Sequence, residues 1–501
     1  MPYFLRLPLL LSLFALSACE PTLPVKDNTR SEQWYQQGQQ RAALAAAQTD
    51  NTGPAKNLIL VVGDGMGITT HTAARIFTGQ QQGLLGEEYN LSFETLPHSA
   101  LIKTYNSDQQ TPDSAGTMTA LISGSKTRAG VLAVSDKVIR SDCASQAGNE
   151  LQTLFDVAEQ QGKASGIVTT ARITHATPAA LYAHSAERNW ESDDQLNDSA
   201  RQSGCQDIAA QLIDYQQQQQ RLEVIFGGGR RHFLPASMSD GQRRDGRNLM
   251  TAWQQQADHH VATSRQQLLQ ADLSQGHWLG LFAASHLPYV AERDASTPGL
   301  LDMTRAALQR LQHNDQGYVL MIEAARIDHA HHQGQGQKAL QETAELDQTV
   351  AWLLKHTDRD NTLLVVTADH SHTLTLAGYP TRGNPITGVV ISNDDQGRPE
   401  RQPYRLDDGG YYTTMSYRNG PGAVDWQQHN RRPSVNPEAT QSPDYRQQAL
   451  VPLDSETHGG EDVALYASGP WAHLFGGTME QHWVYHVLQH ALNPKAQQAA
   501  P

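Results

Sequence analysis

Residues 318–332 read YVLMIEAARIDHAHH, and this stretch decides the fold class. Its apolar half, Tyr318–Ile322, is typical of a strand that is buried on both faces. Its polar half follows at once and contains Glu323, Asp328 and His332. Asp328 and His332 are four residues apart, so on a helical turn they share one face. We therefore expect a buried strand that delivers carboxylate and imidazole groups at its carboxyl end.

Similar apolar runs recur along the chain and alternate with helix-like stretches, which predicts an α/β fold with a doubly wound, mostly parallel central sheet flanked by helices. The other predicted strands are Leu58–Val62, Ala100–Thr104, Gly166–Thr170, Val224–Phe226, Thr362–Thr367 and Val463–Tyr466, and the predicted helices are Leu151–Gln161, Leu300–Leu311 and Lys338–Lys355. Residues 379–454 break this pattern and are rich in Gly, Pro, Asn and Asp. We interpret them as a large functional insertion near the site entrance, with a loosely ordered surface loop as the alternative.

Three other motifs, GDGMG, ADHSH and THGGED, combine acidic residues with glycine or histidine, and the first two directly follow predicted strands. Their candidate metal ligands are Asp64, Asp369, His370 and His458. A turn aspartate or a polar surface loop explains any one motif, but burying many unpaired carboxylates together would be too costly. Carboxylate with imidazole suits zinc, and carboxylate with hydroxyl suits magnesium. The sequence therefore predicts an open, catalytic metal site.

Residues 111–121, TPDSAGTMTAL, read as a turn that enters a helix of small residues. Ser114 falls at or near the N-cap, where free N–H groups and the positive helix end favour an anionic ligand. A plain capping serine is the alternative, which weakens once metals are present because a metal can activate a serine hydroxyl. Further along, Thr177 offers a hydroxyl to a hard metal, and Arg188 offers a guanidinium that can clamp two phosphate oxygens.

The 501 residues carry 38 Lys+Arg against 52 Asp+Glu, a formal charge of −14. Such an acidic chain repels nucleic-acid backbones, so we expect no nucleic-acid binding. The N-terminus, MPYFLRLPLLLSLFALSAC, has a signal-peptide core that ends in a lipobox-like sequence. It predicts a lipoprotein signal peptide over residues 1–18 and an acylated Cys19 at the periplasmic face of a bacterial membrane. An ordinary secretory signal, with a periplasmic or secreted product, is the alternative.

Residues 19–56 are polar and rich in Gln and Ala, and they predict a tether with a short N-terminal helix ahead of an α/β domain over residues 57–495. Three cysteines cannot build a disulfide scaffold for so long a chain. If Cys19 carries lipid, Cys143 and Cys205 remain, and an oxidising compartment favours one disulfide between them. Two unpaired thiols are the alternative.

Seven motifs together resemble the alkaline phosphatase family, in family order and over about residues 57–492: VGDGMG, DSAGT, THATPAA, SAERNW, IEAARIDHAHH, TADHSH and THGGEDV. The resemblance implies hydrolysis of small-molecule phosphate monoesters to alcohol and inorganic phosphate. Ser114 would take up the phosphoryl group as a phosphoserine, and Arg188 would bind the phosphate. It also implies two zinc ions and one magnesium ion per subunit, and a homodimer to which residues 379–454 contribute a crown-like contact.

The resemblance assigns roles to the candidate ligands. One zinc would take Asp328, His332 and His458, the second would take Asp64, Ser114, Asp369 and His370, and magnesium would take Asp64, Thr177 and Glu323. Asp113 would stand beside the nucleophile, and His175 and His329 behind the ligands, as in the animal-type branch, where a disulfide like Cys143–Cys205 also occurs. Two departures stand out: Met118 replaces a small residue, and Ala283 replaces an acidic residue. The second argues against a fourth, calcium site.

Two other functions stay open at this point. One is a phosphodiesterase or sulfatase-like hydrolase on the same core, although Arg188 and the third set of metal ligands favour monoesters, and the sequence lacks a sulfatase motif. The other is a lipid-anchored protein that binds metal or phosphate without catalysis.

Overall fold

The computed structural model describes residues 29–219, 222–424, 432 and 435–493. The chain divides into one unit up to Thr49 and a second from Asp50 onward. The first contains helix α1 (Thr29–Ala46), in the segment for which we predicted a short N-terminal helix, and the side chains of residues 31–46 are exposed. The predicted signal peptide and Cys19 lie outside the described residues. Within the described ranges, no helix is long and apolar enough to cross a membrane.

Fifteen described strands belong to the second unit. They are β1 (Asn57–Gly63), β2 (His98–Lys103), β3 (Ala164–Arg172), β4 (Leu222–Gly228), β5 (His259–Ala262), β6 (His277–Leu281), β7 (Tyr318–Ala324), β8 (Thr362–Ala368), β9 (Ser371–His372), β10 (Leu374–Leu376), β11 (Met415–Gly420), β12 (Ala449–Pro452), β13 (His458–Gly459), β14 (Val463–Ser468) and β15 (Thr478–Glu480). Ten of them form one sheet in the order β15-β2-β14-β8-β1-β7-β3-β4-β6-β5. Only β14 in that sheet runs antiparallel to its neighbours, so the predicted mostly parallel sheet is confirmed.

Helices flank this sheet. They are α2 (Ile68–Gln81), α3 (Ser114–Ser123), α4 (Leu154–Gln160), α5 (Ala176–Ala179), α6 (Asp198–Gln202), α7 (Ile208–Gln219), α8 (Leu249–Gln254), α9 (Arg265–Gln270), α10 (Leu300–Leu311), α11 (Arg326–His332), α12 (Gly336–His356) and α13 (Gln481–Leu492). α10 packs against β3 and β4, α12 against α2 and α11, and α13 against α3. The helix predicted at Leu300–Leu311 has the same bounds in the structure.

Four central strands, β8, β1, β7 and β3, position the site. Every residue of β7 and β8 is buried, as the unbroken apolar runs predicted for strands covered on both faces. β1 lies between them in register, with Val61 beside Ile322 on one side and Val366 on the other. Because all four strands run in the same direction, their carboxyl ends meet at one edge.

Three strands of the central sheet, β5, β6 and β15, have no counterpart in the sequence prediction. β5 reads HHVA and β6 reads HWLGL, so histidine and glycine interrupt the apolar runs on which strand prediction depends. β6 pairs with β4 and β5 pairs with β6, and this pairing supplies the stability that local sequence does not indicate.

Residues 379–454 contain regular structure that their composition does not predict. β11 and β12 lie within this segment and form a three-stranded sheet with β10, which immediately precedes it. Both have mixed or exposed side chains, so they lack the apolar pattern of a core strand. The segment is therefore organised on its own small sheet.

A disulfide joins Cys143 to Cys205, which settles the choice between a disulfide and free thiols in favour of the bond. A small apolar cluster surrounds it, separate from the main core. The cluster consists of Val131, Val134, Val138, Cys143, Ala186, Trp190, Leu196 and Ala200, with Cys205 packed against it. The bond closes a loop between cysteines 62 residues apart.

We expect the double variant Cys143→Ala/Cys205→Ala to unfold at a lower urea concentration, because closing so long a loop restricts the unfolded chain by roughly 2–4 kcal/mol. The wild-type protein treated with dithiothreitol is the control and should unfold at the same lower midpoint. An unchanged midpoint for the double variant would show that the bond contributes no stability.

Candidate metal and phosphate site

The carboxyl ends of the four central strands bring the predicted ligands together. Asp369 follows β8, Asp64 follows β1, and Glu323 is the penultimate residue of β7. Thr177 lies in α5, the short helix after β3. The side chains of these four residues are buried.

Among the residues that the structure describes, three groups of side chains place possible ligand atoms within 4.8 Å of one another. The groups are Asp328, His332, His372 and His458; Asp64, Asp328 and His370; and Asp64, His175 and Glu323. Every histidine and carboxylate predicted as a metal ligand belongs to one of these groups except Asp369, which lies beside the second. Asp64 and Asp328 each belong to two groups, so the groups form one connected cluster.

In the first group, two imidazole nitrogens lie close to one carboxylate. The Nδ1 atoms of His332 and His458 lie 2.5 and 2.7 Å from the carbonyl oxygens of Glu456 and Pro112. A carbonyl only accepts hydrogen bonds, so each Nδ1 carries the hydrogen and each Nε2 of the neutral ring carries a lone pair. The two Nε2 atoms are 3.1 Å apart, and each is 3.4 Å from Oδ1 of Asp328. Three electron-pair donors this close are the donor set of a tetrahedral zinc with an open position.

His372 completes this group and Glu456 lies beside it; neither residue is in the predicted set. His372 lies 2.7 Å from Asp328 Oδ1 through Nε2 and 2.6 Å from Glu456 Oε2 through Nδ1. Burial alone would lower the pKa of His372, but these two carboxylates raise it to about 10. The pairing of β13 with β9 sets His372 opposite His458. His372 is the last residue of the ADHSH motif. Glu456 lies two residues before His458. Proximity in sequence to predicted ligands was therefore a usable signal for both residues.

The second group surrounds the predicted nucleophile. His370 Nε2 lies 3.1 Å from Ser114 Oγ, 3.2 Å from Asp369 Oδ2 and 3.5 Å from Asp64 Oδ1. Asp369 Oδ1 accepts the backbone N–H groups of Gly65 and His370. Both oxygens of Asp64 are buried and have no hydrogen-bond partner in the described part of the chain. A buried carboxylate left without partners is costly unless a cation binds it, so the donor set fits a divalent metal.

The third group is centred on Glu323. Its Oε2 accepts a hydrogen bond from Thr169, whereas its Oε1 is buried without a hydrogen-bond partner. Burial raises the pKa of Glu323 to about 8. Burial also raises the pKa of Asp64 well above its usual range, helped by the negative charges of Asp369, Asp328 and Glu323. Carboxyl and hydroxyl oxygens from Asp64, Glu323 and Thr177 are the ligand types that magnesium prefers.

Ser114 is the first residue of α3, one position after the N-cap. Asp113 is the N-cap, and its Oδ1 accepts the N–H of Gly116 at 3.1 Å. Its Oδ2 accepts Nη1 of Arg188 at 2.9 Å, which ties the predicted phosphate-binding side chain to the residue beside the nucleophile. Burial would raise the pKa of Asp113, but the Arg188 guanidinium and the N–H groups of Gly116 and Gly130 hold it below its usual range.

His175 of the third group belongs to a cluster of three histidine rings. The ring centroids of His175 and His329 are 5.5 Å apart, and His286, which was not predicted, lies 4.1 Å from His329. Burial lowers the pKa of His329 to about 3, so the ring is neutral near pH 7. Arg188 Nη2 is 3.4 Å from His175 Nε2, which links this cluster to the phosphate-binding side chain. His286 follows β6 and belongs to no recognisable motif, so no sequence pattern could have predicted its place in this cluster. Met118, which stands where the family usually has a small residue, is fully buried in α3.

Comparison with known proteins agrees with this geometry. The profile of the family described as alkaline phosphatase matches residues 55–494. The tissue-nonspecific alkaline phosphatase of Gallus gallus is 42% identical, over 96% of this chain and 93% of its own. An alkaline phosphatase of Gadus morhua is 41% identical, over 89% of this chain and 93% of its own.

Solved structures show the same fold. The Thermus thermophilus alkaline phosphatase superposes with a TM-score of 0.63 at 25% identity, over 89% of this chain and 93% of its own. The alkaline phosphatase of the Antarctic bacterium TAB5 superposes with a TM-score of 0.59 at 19% identity, over 88% of this chain and 98% of its own, and this likeness concerns the fold alone.

Fold and site define a metal-dependent hydrolase with a serine at the start of a helix and an arginine beside it. The chain belongs to the alkaline phosphatase family, as the motif resemblance predicted. It is a phosphoric monoester hydrolase, and its substrates are phosphate monoesters.

We expect Glu323 to make the metal-free protein less stable as the pH rises. Its carboxyl titrates at about 8 in the folded protein but at about 4.3 in an unfolded chain. The folded state therefore binds this proton more tightly, and its contribution to stability is lost as the pH rises through about 8. Residue 323 cannot titrate in Glu323→Gln. We therefore expect the thermal midpoint of this variant, measured in excess chelator, to increase relative to that of the wild type between pH 5 and pH 8.

The exposed Glu400→Gln is the matched control and should keep a constant difference from the wild type. If Glu323→Gln also shows a constant difference across this range, the carboxyl does not titrate as described.

Proposed function

We propose that Ser114 is the nucleophile and Arg188 the phosphate-binding residue of this phosphatase. The observation that carries the proposal is the position of Ser114 Oγ, at the start of α3 and 3.1 Å from His370 Nε2 in the second group of ligands. The free N–H groups and positive end of α3 favour a phosphate there. Arg188, fixed on Asp113, offers further N–H donors on the same side.

In the proposed reaction Ser114 Oγ loses its proton and attacks the phosphorus atom in line with the ester oxygen. The bond between phosphorus and the ester oxygen breaks, the ester oxygen takes up a proton and leaves as the alcohol, and Ser114 carries the phosphoryl group. Water then attacks phosphorus, breaks the bond to Oγ and releases inorganic phosphate. Arg188 holds two phosphate oxygens through both steps, which keeps the attacking and leaving atoms aligned.

We propose that the cluster holds two zinc ions and one magnesium ion. Asp328, His332 and His458 would bind one zinc, and Asp64, Asp369 and His370, with Ser114, the second. Asp64, Glu323 and Thr177 would bind magnesium. When bound, these cations supply the positive charge and Lewis acidity that stabilise the developing oxyanions of phosphoryl transfer. The unpartnered oxygens of Asp64 and Glu323, and the facing Nε2 atoms of His332 and His458, support this assignment.

We assign positioning roles to the histidines around the ligands. His372 bonds both Asp328 and Glu456, so it would orient the Asp328 carboxylate toward the first zinc. Asp113 would orient Arg188, and His175 and His329 would stand behind the magnesium ligands. The His175 ring also belongs to the third group, so direct ligation by His175 is the competing arrangement.

The finer proposals on location and assembly rest on the sequence. We propose a lipoprotein signal peptide over residues 1–18, a lipid at Cys19, and a tether and helix over 19–56. We also propose a homodimer, with the crown-like insertion 379–454 on the 57–495 domain.

Cys19→Ser should release the enzyme from the membrane fraction. Sedimentation velocity of the released enzyme should give twice the mass of the chain. Retention of the variant on membranes, or a monomeric mass, would reject the respective proposal.

We expect Ser114→Ala, supplied with zinc and magnesium, to lose roughly four orders of magnitude or more in kcat on an aryl phosphate, because the variant lacks the hydroxyl that takes up the phosphoryl group in the proposed reaction. Ser123→Ala on the same helix is the matched control, since the Ser123 hydroxyl donates only to the carbonyl of Thr119. Undiminished turnover by Ser114→Ala would reject the phosphoserine route. If the enzyme turns over phosphate diesters or sulfate esters faster than monoesters, the result would favour the alternative, a phosphodiesterase or sulfatase-like hydrolase.

A further inference from the structure

Arg188 lies on an irregular segment, so something other than a long strand or helix must fix its position. We call residues 185–190 the arginine arm. Four backbone hydrogen bonds join it to the segment from 130 to 141: Ser185 and Leu132 exchange two, Ser141 N–H donates to the Ala186 carbonyl at 2.8 Å, and Arg188 N–H donates to the Gly130 carbonyl at 2.8 Å. The arm is therefore docked against the segment from 130 to 141.

An ion pair also joins the arm to this segment. Glu187, whose side chain is 9% exposed, accepts Nε and Nη2 of Arg140 at 2.8 and 3.0 Å. The same carboxylate accepts the Ser141 hydroxyl at 2.9 Å and the Asn189 N–H at 3.0 Å. A planar guanidinium that binds both carboxylate oxygens fixes direction as well as distance. Glu187 is the residue directly before Arg188, so this bond sets where the Arg188 backbone lies.

Gly130 connects the ion pair to the nucleophile. Its N–H donates to Asp113 Oδ2 at 3.0 Å, and its carbonyl accepts the Arg188 N–H. Its φ is +81°, and a Cβ at this position would overlap the Arg140 guanidinium. The guanidinium thus packs directly on the glycine that holds both Asp113 and Arg188, and Asp113 Oδ2 in turn accepts Arg188 Nη1.

We propose that Arg140 is a positioning residue for phosphate binding, acting through Glu187 and Gly130 to hold the arginine arm so that Arg188 meets the phosphate. The inference rests on the proposed phosphate-binding role of Arg188. Arg140 itself is about half exposed and bonds Glu187, so it is separate from the ligands of the metal cluster.

The rest of the arm has its own support, so loss of the pair displaces Arg188 without unfolding the region. Trp190 and Ala186 are buried in the apolar cluster around the Cys143–Cys205 disulfide. Ser185 Oγ also donates to the Glu187 carbonyl at 2.8 Å. A displacement of the Arg188 guanidinium weakens phosphate binding in every state of the reaction. It therefore raises KM and the inhibition constant of inorganic phosphate.

The test measures kcat and KM for an aryl phosphate and the inhibition constant of inorganic phosphate in the metal-loaded enzyme. For Arg140→Ala we expect both KM and the inhibition constant to rise about tenfold while kcat changes less than about twofold, because misplacing a binding group by about 1 Å has effects of this size or larger. Arg140→Lys keeps the charge without the planar fork and should recover part of the loss. Arg201→Ala, which removes an exposed ion pair with Asp198 near the same disulfide, is the matched control and should match the wild type.

The double variant Arg140→Ala/Arg188→Ala separates positioning from a general structural effect. If Arg140 acts through Arg188, the double variant has the inhibition constant of Arg188→Ala alone. Losses that add in the double variant, or an unchanged inhibition constant in both Arg140→Ala and Glu187→Gln, overturn the inference and leave the role of Arg188 intact. If Arg188→Ala itself leaves the inhibition constant unchanged, the proposed function of Arg188 fails, and the inference fails with it.

Discussion

The concentration of buried carboxylates at one edge of the sheet is the constraint on which the site depends. Asp64, Glu323 and Asp369 are fully buried, and Asp328 is 4% exposed. Burial and the neighbouring negative charges raise the pKa values of Asp64, Glu323 and Asp369, so these three groups are unfavourable as anions on their own. Asp328 differs, because burial alone would raise its pKa but His332, His372 and His458 hold it well below the usual range. Cations reverse that cost, which means that the strands, the ligands and the metal ions stabilise one another.

The parallel sheet explains how residues far apart in sequence reach one cluster. Four adjacent strands end at the same edge and each contributes through its last residues or the turn that follows. The short antiparallel pair of β9 and β13 then brings His372 and His458 over the same edge. α3 adds Ser114 with the positive end of its dipole. The overall acidity of the chain gives no attraction for phosphate, so that attraction comes from local positive charge at the site.

The central strands and most candidate ligands could be predicted because strong apolar runs end directly in acidic residues and histidines. β5, β6 and β15 could not, since their stability comes from pairing with neighbours rather than from their own residues. His372 lay within a recognised motif but gained its place only from the β9–β13 pairing. The Arg140–Glu187 pair joins residues 47 positions apart through an irregular segment, which local sequence patterns do not encode.

Asp64 is common to two of the three groups of ligands, so it offers the most direct test of the claim that buried carboxylates hold the catalytic metals. The measurement is elemental analysis of zinc and magnesium per chain in purified wild-type enzyme and Asp64→Asn. The account predicts two zinc ions and one magnesium ion in the wild type, and loss of one zinc and the magnesium in the variant, with the zinc at Asp328, His332 and His458 retained. Full metal content in Asp64→Asn would contradict it.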